Sequence, residues 1–390
     1  MENKKYSVLL IGPDIKCGHI DRFISSLKTE NRDVSITLFA DWSYEEMSDA
    51  IKNNIDGYIK RKRCGLKNKI PSSFRKIVNK AILIIQFCQL SKKYSFDIIN
   101  IHYALPYLAL VRKRLIKMSK RIIITPWGSD VLRAKNNDLK ILRKLYESSN
   151  YITVGCNCEI GKRLRNVCGI AANKMVSMKW GSETIDYINE HLDSISTEDA
   201  KRKFGIEGKY VITCGYNAFK EQRHDEIIES MGNIKDRLPS NYLLVFPFTY
   251  GNSNRYNYML SLEEKCKQLG LNTLFIYDYM DVQDVFRLRM SADLFIHVQA
   301  TDAGNSTLDE YILCGKKIIH GSWIHYKKAD YKPLFYYPVD DMKDLSSVIL
   351  KAIESDNIIP AKELMSEVKN RGWKTQIKAW NQLFIKSLDE

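Results

Sequence analysis

The stretch ATDAGNSTLDEYILCGKKII, residues 300–319, follows the apolar run ADLFIHVQ at 292–299. A short apolar run bounded by a turn reads as a buried strand. Asp302 and Glu310 then bracket a turn of small residues, and Cys314-Gly315 closes a short helical pattern. A helix starting at Asn305–Thr307 would aim its first free N–H groups at the space beside Gly304, a ready anion site for a phosphate. Glu310 falls four residues after Ser306, on the same helix face and about 6 Å further along the axis. A carboxylate there can accept both hydroxyls of a ribose. Asp302, on the loop before the helix, would face the other side of the phosphate, where a transferred sugar would sit. One strand–turn–helix segment is thereby predicted to hold ribose, diphosphate and sugar in line.

Working outward, the same alternation recurs. YSVLLIG (6–12), VSITLFA (34–40), FDIINIH (96–102), RIIITPWGSD (121–130) and YITVGC (151–156) alternate with helical patterns. The alternation pauses over 179–209, then resumes with YVITCGYN (210–217), YLLVFPFTY (242–250), NTLFIYDYM (272–280), ADLFIHVQ and KKIIHGSW (316–323). Strands alternating with helices predict parallel, doubly wound α/β sheets, here two Rossmann-like domains. The expected boundaries are 1–182 and 183–372, with a linker near 179–209 and a C-terminal helix over 373–390 packing back on the first domain.

The chain of 390 residues carries 60 Lys and Arg against 46 Asp and Glu. Residues 1–190 hold 34 and 18 of these, leaving 26 and 28 for the remainder, so all the excess positive charge lies in the first half. Much of it sits in residues 58–80 and 111–121, interleaved with Phe74, Ile77, Val78, Ile82 and Leu83. That mixture suits an interfacial segment on an anionic membrane, and the basic half would also attract a lipid pyrophosphate or a nucleic acid. The basic runs lack the interleaved aromatic platforms that single-stranded nucleic acid requires, so no nucleic-acid partner is expected. No apolar run approaches membrane-spanning length. The start of the chain reads as a first strand rather than a signal peptide, and the nine cysteines, without a Cys-x-x-Cys pair, read as free thiols of a reducing cytoplasm.

In open parallel sheets ligands bind beyond the carboxyl ends of the strands. The residues there include Gly18, His102, Trp127–Asp130, Gly215–His224, Tyr279, Met280 and the 302–310 segment. GPDIKCG after the first strand is not Gly-x-Gly-x-x-Gly, and no P-loop pattern occurs, so neither a nicotinamide dehydrogenase nor a P-loop nucleotidase is expected. Arg223 and His224 at a helix start conflict with the helix dipole unless an anion is present. Arg223, with Lys220 as the alternative, is therefore the expected diphosphate cation. No Asp-x-Asp follows a strand, so no metal is expected.

TDAGNSTLDEYILCGKKII resembles the Glu-x7-Glu segment of retaining GT-B glycosyltransferases, of the family 4-like kind. GPDIKCGHI, IITPWGSDV, KWGSETIDYI and VITCGYNAFKEQRHDEIIESM resemble further family segments in the same order. The GYN…QRH wording and FPFTYGNSNRY also resemble 4-acetamidofucose transferases of surface-polysaccharide assembly. The resemblance implies two Rossmann-like domains facing a central cleft and transfer of a sugar from a nucleotide sugar, a substrate rather than a cofactor, with retention. It implies a lipid-linked saccharide acceptor and a bacterial enzyme working peripherally on the inner face of the cell membrane in lipopolysaccharide or capsule synthesis. Asp302, Arg223, Lys220, Asp130 and His102 then carry catalysis. Gly18, Gly215, Asn217, His224, Tyr279, Met280, Gly304, Asn305, Ser306, Thr307 and Glu310 bind the nucleotide sugar, with the base near Tyr279 and Met280. The family pattern has Glu where Asp302 stands and Gly-Arg where Gly215-Tyr216 stands. Trp127 occupies a position at which relatives place a sugar-touching histidine, which predicts a 6-deoxy or otherwise less polar donor. A nucleotide-sugar 2-epimerase of the same fold, or a nucleic-acid-binding protein using the basic half, are the alternatives.

Overall fold

The computed structural model describes residues 5–12, 18–65, 71–155, 158–302, 304, 306–326 and 334–390. The chain forms two compact units, one of Met1–Trp180 with Trp373–Glu390 and the other of Gly181–Gly372. Each is a parallel sheet with helices between most successive strands, the doubly wound α/β architecture that the alternation predicts.

The first unit contains β1 (Tyr6–Ile11), β2 (Val34–Ala40), β3 (Gly57–Lys60), β4 (Phe96–His102), β5 (Ser119–Thr125), β6 (Tyr151–Val154) and β7 (Met175–Ser177), in the order β3-β2-β1-β4-β5-β6-β7. Its central strands are apolar on both faces: Val8, Leu9, Leu10, Ile98, Ile99 and Ile101 are all fully buried. That is the pattern of a sheet covered on both sides by helices. The Trp373–Asp389 helix belongs to this unit and covers one face through Trp380 and Phe384. It is fixed near its middle by two polar bonds, Tyr6 Oη donating to Asn381 Oδ1 at 2.7 Å and Trp380 Nε1 donating to the Lys179 carbonyl at 3.0 Å.

The second unit contains β8 (Tyr210–Cys214), β9 (Tyr242–Pro247), β10 (Thr273–Ile276), β11 (Leu294–His297), β12 (Lys317–Gly321) and β13 (Tyr337–Val339), in the order β10-β9-β8-β11-β12-β13. The order reverses between β8 and β11. The stretch 179–209, expected as a linker, instead carries two helices of this unit, Glu183–His191 and Thr197–Arg202. Ile185, Ile188 and Ala200 bury against Phe295 and Tyr311. The second helix opens on a capping box of Ser196 and Asp199, a start signal present in the sequence as Ser-Thr-Glu-Asp. The short outer strands β3, β7 and β13 have no run long enough to show a period, and none was expected.

Candidate functional site

The topological switch between β8 and β11 is where a doubly wound sheet opens a crevice. The chain leaves β8 at Gly215 with φ of +68°, and a Cβ there would come within 2.8 Å of Gln222 Oε1 and 3.2 Å of His224 Nε2. Backbone conformation and space both require glycine. The following loop is pinned by its own Asn217, whose Oδ1 accepts the Phe219 N–H at 2.9 Å. It is also pinned by Ala218 N–H donating to Tyr250 O at 2.8 Å and by Ala300 N–H donating to Glu221 O at 2.8 Å.

Arg223 ends the loop in the left-handed region at φ +61° and forms the N-cap of the His224–Gly232 helix, which has no side-chain cap. A side-chain-bearing residue in this conformation stores strain of the kind found at functional sites. The Arg223 guanidinium lies 4.9 Å from the Trp323 ring centroid and 3.6 Å from Glu226. Lys220 is exposed, with Nζ 5.5 Å over the Tyr258 ring. His224 is fully buried, its Nδ1 3.3 Å from Tyr258 Oη and its Nε2 without a partner. Burial pushes its pKa down to about 3, so the ring is neutral.

The acid segment meets this loop from β11. Asp302 is buried; its Oδ1 accepts the Gly304 N–H at 3.0 Å, and its Oδ2 accepts the Tyr326 hydroxyl and lies 3.4 Å from His297 Nε2. Burial works to raise its pKa, but His297, Tyr326 and the Gly304 N–H together hold it below the usual carboxylate range. The helix after it runs Thr307–Leu313 and ends at Gly315, φ +65°. Ser306 stands at the N-cap position of that helix without a side-chain capping bond, and Thr307 is buried at its first position. Asn305 lies outside the described residues.

Glu310 is not the open acid that a free ribose partner would be. It is buried, its Oε2 held by Arg289 Nε at 2.9 Å, while its Oε1 accepts from Ser306 Oγ at 2.8 Å and Ser182 Oγ at 3.3 Å. Its neighbour Asp309 is paired with Arg371 at 2.9 Å, and both are buried. Two adjacent helical acids are thus each balanced by a buried arginine, as buried charges must be.

Sequence reasoning missed the polar chain behind these loops. Gln222 Nε2 donates to Gln299 Oε1 at 2.7 Å, Tyr216 Oη donates to the same oxygen at 3.1 Å, and Gln299 Nε2 lies 3.3 Å from His297 Nε2. His297 Nδ1 lies 2.8 Å from His320 Nδ1. The signal was present: His297 and Gln299 are polar residues two apart in an otherwise apolar run, and β11 and β12 pair in a register that sets His297 beside His320. Arg289, inside a helix, gave no such signal.

The other expected site residues lie on other elements. Tyr279, 86% exposed, follows edge strand β10, and Met280 packs against Val211 and Leu288. Gly18 opens the Gly18–Glu30 helix of the first unit, and the loop before it at 13–17 lies outside the described residues. His102 and Asp130 also belong to the first unit. His102 is fully buried, Nε2 2.6 Å from Asn100 Oδ1 and Nδ1 accepting Trp127 Nε1–H at 3.4 Å; burial pushes its pKa down to about 3. With both nitrogens engaged inside the sheet edge it supports the loop rather than offering a free base. Asp130 Oδ1 accepts the Trp127 and Gly128 N–H groups at 2.8 and 3.0 Å. Burial pushes its pKa up to about 7 against those bonds. It therefore braces the Trp127-Gly128 turn from inside the helix. Trp127 gives its one N–H to His102 and packs edge-on to Tyr103 and Trp180, so its N–H is not offered to a sugar.

Among the described residues no group of three or more His, Cys, Asp or Glu is placed to hold a metal ion, and no helix is long and apolar enough to cross a membrane.

Residues 8–155 match the family model described as Glycosyl transferase 4-like. No curated protein matches the chain. Among solved structures the chain is similar to a glycosyltransferase from Rickettsia africae ESF-5, at 16% identity and a TM-score of 0.70 over 99% of each chain. It is also similar to Anabaena Alr3699/HepE in complex with UDP-glucose, at 13% identity and a TM-score of 0.67, covering 98% of this chain and 99% of that one. A third is the lipopolysaccharide outer core galactosyltransferase WaaB, at 15% identity and a TM-score of 0.64, covering 97% and 99%. The two doubly wound units share the GT-B fold of these structures.

Proposed function

We propose that the protein is a glycosyltransferase that binds a nucleotide sugar at the switch point of the second unit and passes the sugar to an acceptor hydroxyl. The observation that carries this reading is the meeting, at one sheet edge, of the left-handed Gly215 turn, the uncapped His224–Gly232 helix start with Lys220 and Arg223, and the Asp302–Glu310 segment. The fold and the family-model match over residues 8–155 support it.

In this reading the diphosphate lies against the Gly215 loop and the start of the His224–Gly232 helix. Its charge rises as the sugar leaves, so N–H groups and the Arg223 and Lys220 cations stabilise the transition state more than the bound donor. Asp302, held ionised by its neighbours, faces the sugar. Glu310 keeps Arg289 on Oε2 and exchanges the Ser306 and Ser182 hydroxyls on Oε1 for those of the ribose. The proton of the acceptor hydroxyl leaves with the diphosphate. Retention of configuration follows the resemblance to retaining glycosyltransferases, an argument by analogy, and independence of metal follows from the lack of an Asp-x-Asp after a strand, with the cations in its place.

The Anabaena neighbour was solved with UDP-glucose, so a UDP-sugar is the first donor to try. The positive first half and the outer-core activity named for WaaB support a lipid-linked saccharide acceptor in bacterial surface-polysaccharide synthesis, reached from the cytoplasmic face of the membrane. The test is release of nucleoside diphosphate from a panel of nucleotide sugars, with and without polyprenyl-pyrophosphate-linked saccharides. Acceptor-dependent release from one donor is expected. Conversion of a donor to its 2-epimer without release would instead favour the epimerase, and no turnover of any donor would overturn both.

A further inference from the structure

Three loops of the second unit meet on one peptide group. The peptide between Gln299 and Ala300, just past β11, accepts the Trp323 Nε1–H on its carbonyl at 2.8 Å and donates its N–H to the Glu221 carbonyl at 2.8 Å. Glu221 stands two residues before Arg223, so this peptide ties the indole that follows β12 to the loop that follows β8. The indole also has a fitted seat. A Cβ at Gly321 would come within 2.5 Å of its six-membered ring, so glycine is needed there for close approach. With its N–H engaged and its ring seated, what Trp323 has left to offer is a π face. The Arg223 guanidinium lies over that face, 4.9 Å from the ring centroid.

We infer that Trp323 is a positioning residue, whose ring holds the Arg223 guanidinium in place to meet the donor's diphosphate. A guanidinium resting on an aromatic face keeps its N–H donors for another partner, and a fork of such donors matches a phosphate. Glu226 lies 3.6 Å from Arg223 Nε, but both side chains of that pair are partly exposed, so water weakens the pull. The indole, fixed from β11 and β12, is the firmer support. An unsupported arginine spreads over many rotamers, and ordering it on binding costs affinity. A ring that already holds it removes part of that cost. The left-handed backbone of Arg223, φ +61°, serves the same end, since it sets the direction in which the side chain leaves the loop.

The inference rests on the donor reading above, and the experiment separates the two. The Kd for UDP is measured for wild type, Trp323→Leu, Trp323→Phe, Arg223→Ala and the double variant Arg223→Ala, Trp323→Leu. Trp323→Leu is expected to weaken binding about 5-fold, the scale of a cation–π contact at a partly exposed site. Trp323→Phe, which keeps a π face, should weaken it less. With Arg223→Ala in place, Trp323→Leu should change the Kd little, because the two side chains act as one unit. Equal losses in both backgrounds would make Trp323 a packing residue and overturn the inference. If wild type binds neither UDP nor any other nucleoside diphosphate, the donor reading fails, and the pair itself decides the inference. In ¹⁵N-arginine spectra the Arg223 Nε–H resonance, assigned by its loss in Arg223→Ala, should shift in Trp323→Leu as the ring's field is removed, and shift less in Trp323→Phe. A resonance that neither variant moves would overturn the inference with or without a nucleotide.

Discussion

Arg223 concentrates the account at the residue scale. It was singled out in the sequence because a cation at a helix start opposes the dipole, and the structure adds that its backbone is left-handed at φ +61°. Nothing in the sequence signals that angle; it is imposed by the bonds that pin the loop at Phe219, Ala218 and Ala300. Glycine would accept it freely, so Arg223→Gly should raise stability to urea by about 1 kcal/mol while slowing transfer about 10²-fold, the loss seen when one group stabilising a developing charge is removed. A variant that is both more stable and as active would show that the strain serves no ligand, and the role would move to Lys220. Glu310 is the opposite case. Its position was legible from the four-residue spacing to Ser306, which it does bond at 2.8 Å, but Arg289, which claims its other oxygen at 2.9 Å, was not. Pairs between a helix and a later helix leave no periodic trace.

At the scale of elements, the Ser72–Lys93 helix decides what the basic half does. Its buried side holds Leu83, Phe87 and Leu90, yet Phe74, Ile77 and Ile85 are 55%, 62% and 58% exposed. Phe74, Ile77, Ala81 and Ile84 recur at the spacing of one helix face, with Lys76 and Lys80 exposed beside them. An apolar stripe flanked by lysines fits a surface of anionic lipid. The basic stretch 58–80 is the contact expected from the sequence; the exposed apolar residues run further, to Ile85, and 66–70 lie outside the described residues. Vesicles containing anionic lipid should sediment the protein, less so in high salt, and the double variant Ile77→Glu, Ile85→Glu should bind them at least about 10-fold more weakly, two buried apolar side chains being worth more than that. Equal binding by the variant, or equal binding to zwitterionic vesicles, would assign the stripe elsewhere.

At the scale of the molecule, the fold was legible because long central strands such as Tyr6–Ile11 and Phe96–His102 are apolar on both faces, which only a covered parallel sheet explains. The helices at 183–202 lie in a polar stretch with few strand signals, which reads as a linker; the capping box at Ser196 is the signal that marks a helix there. The candidate site was legible where turn chemistry fixed it, at Gly215, Gly304 and Asp302, and illegible where it depends on register, as in the His297–His320 pair. A nucleotide sugar is expected at the edge where β8 and β11 part. Amide hydrogen exchange of the whole chain, with and without a saturating nucleotide sugar that gives turnover, tests it most directly. Slowed exchange is expected at residues 214–224 and 298–312 together, and protection confined to the first unit, or absent from both segments, would contradict it.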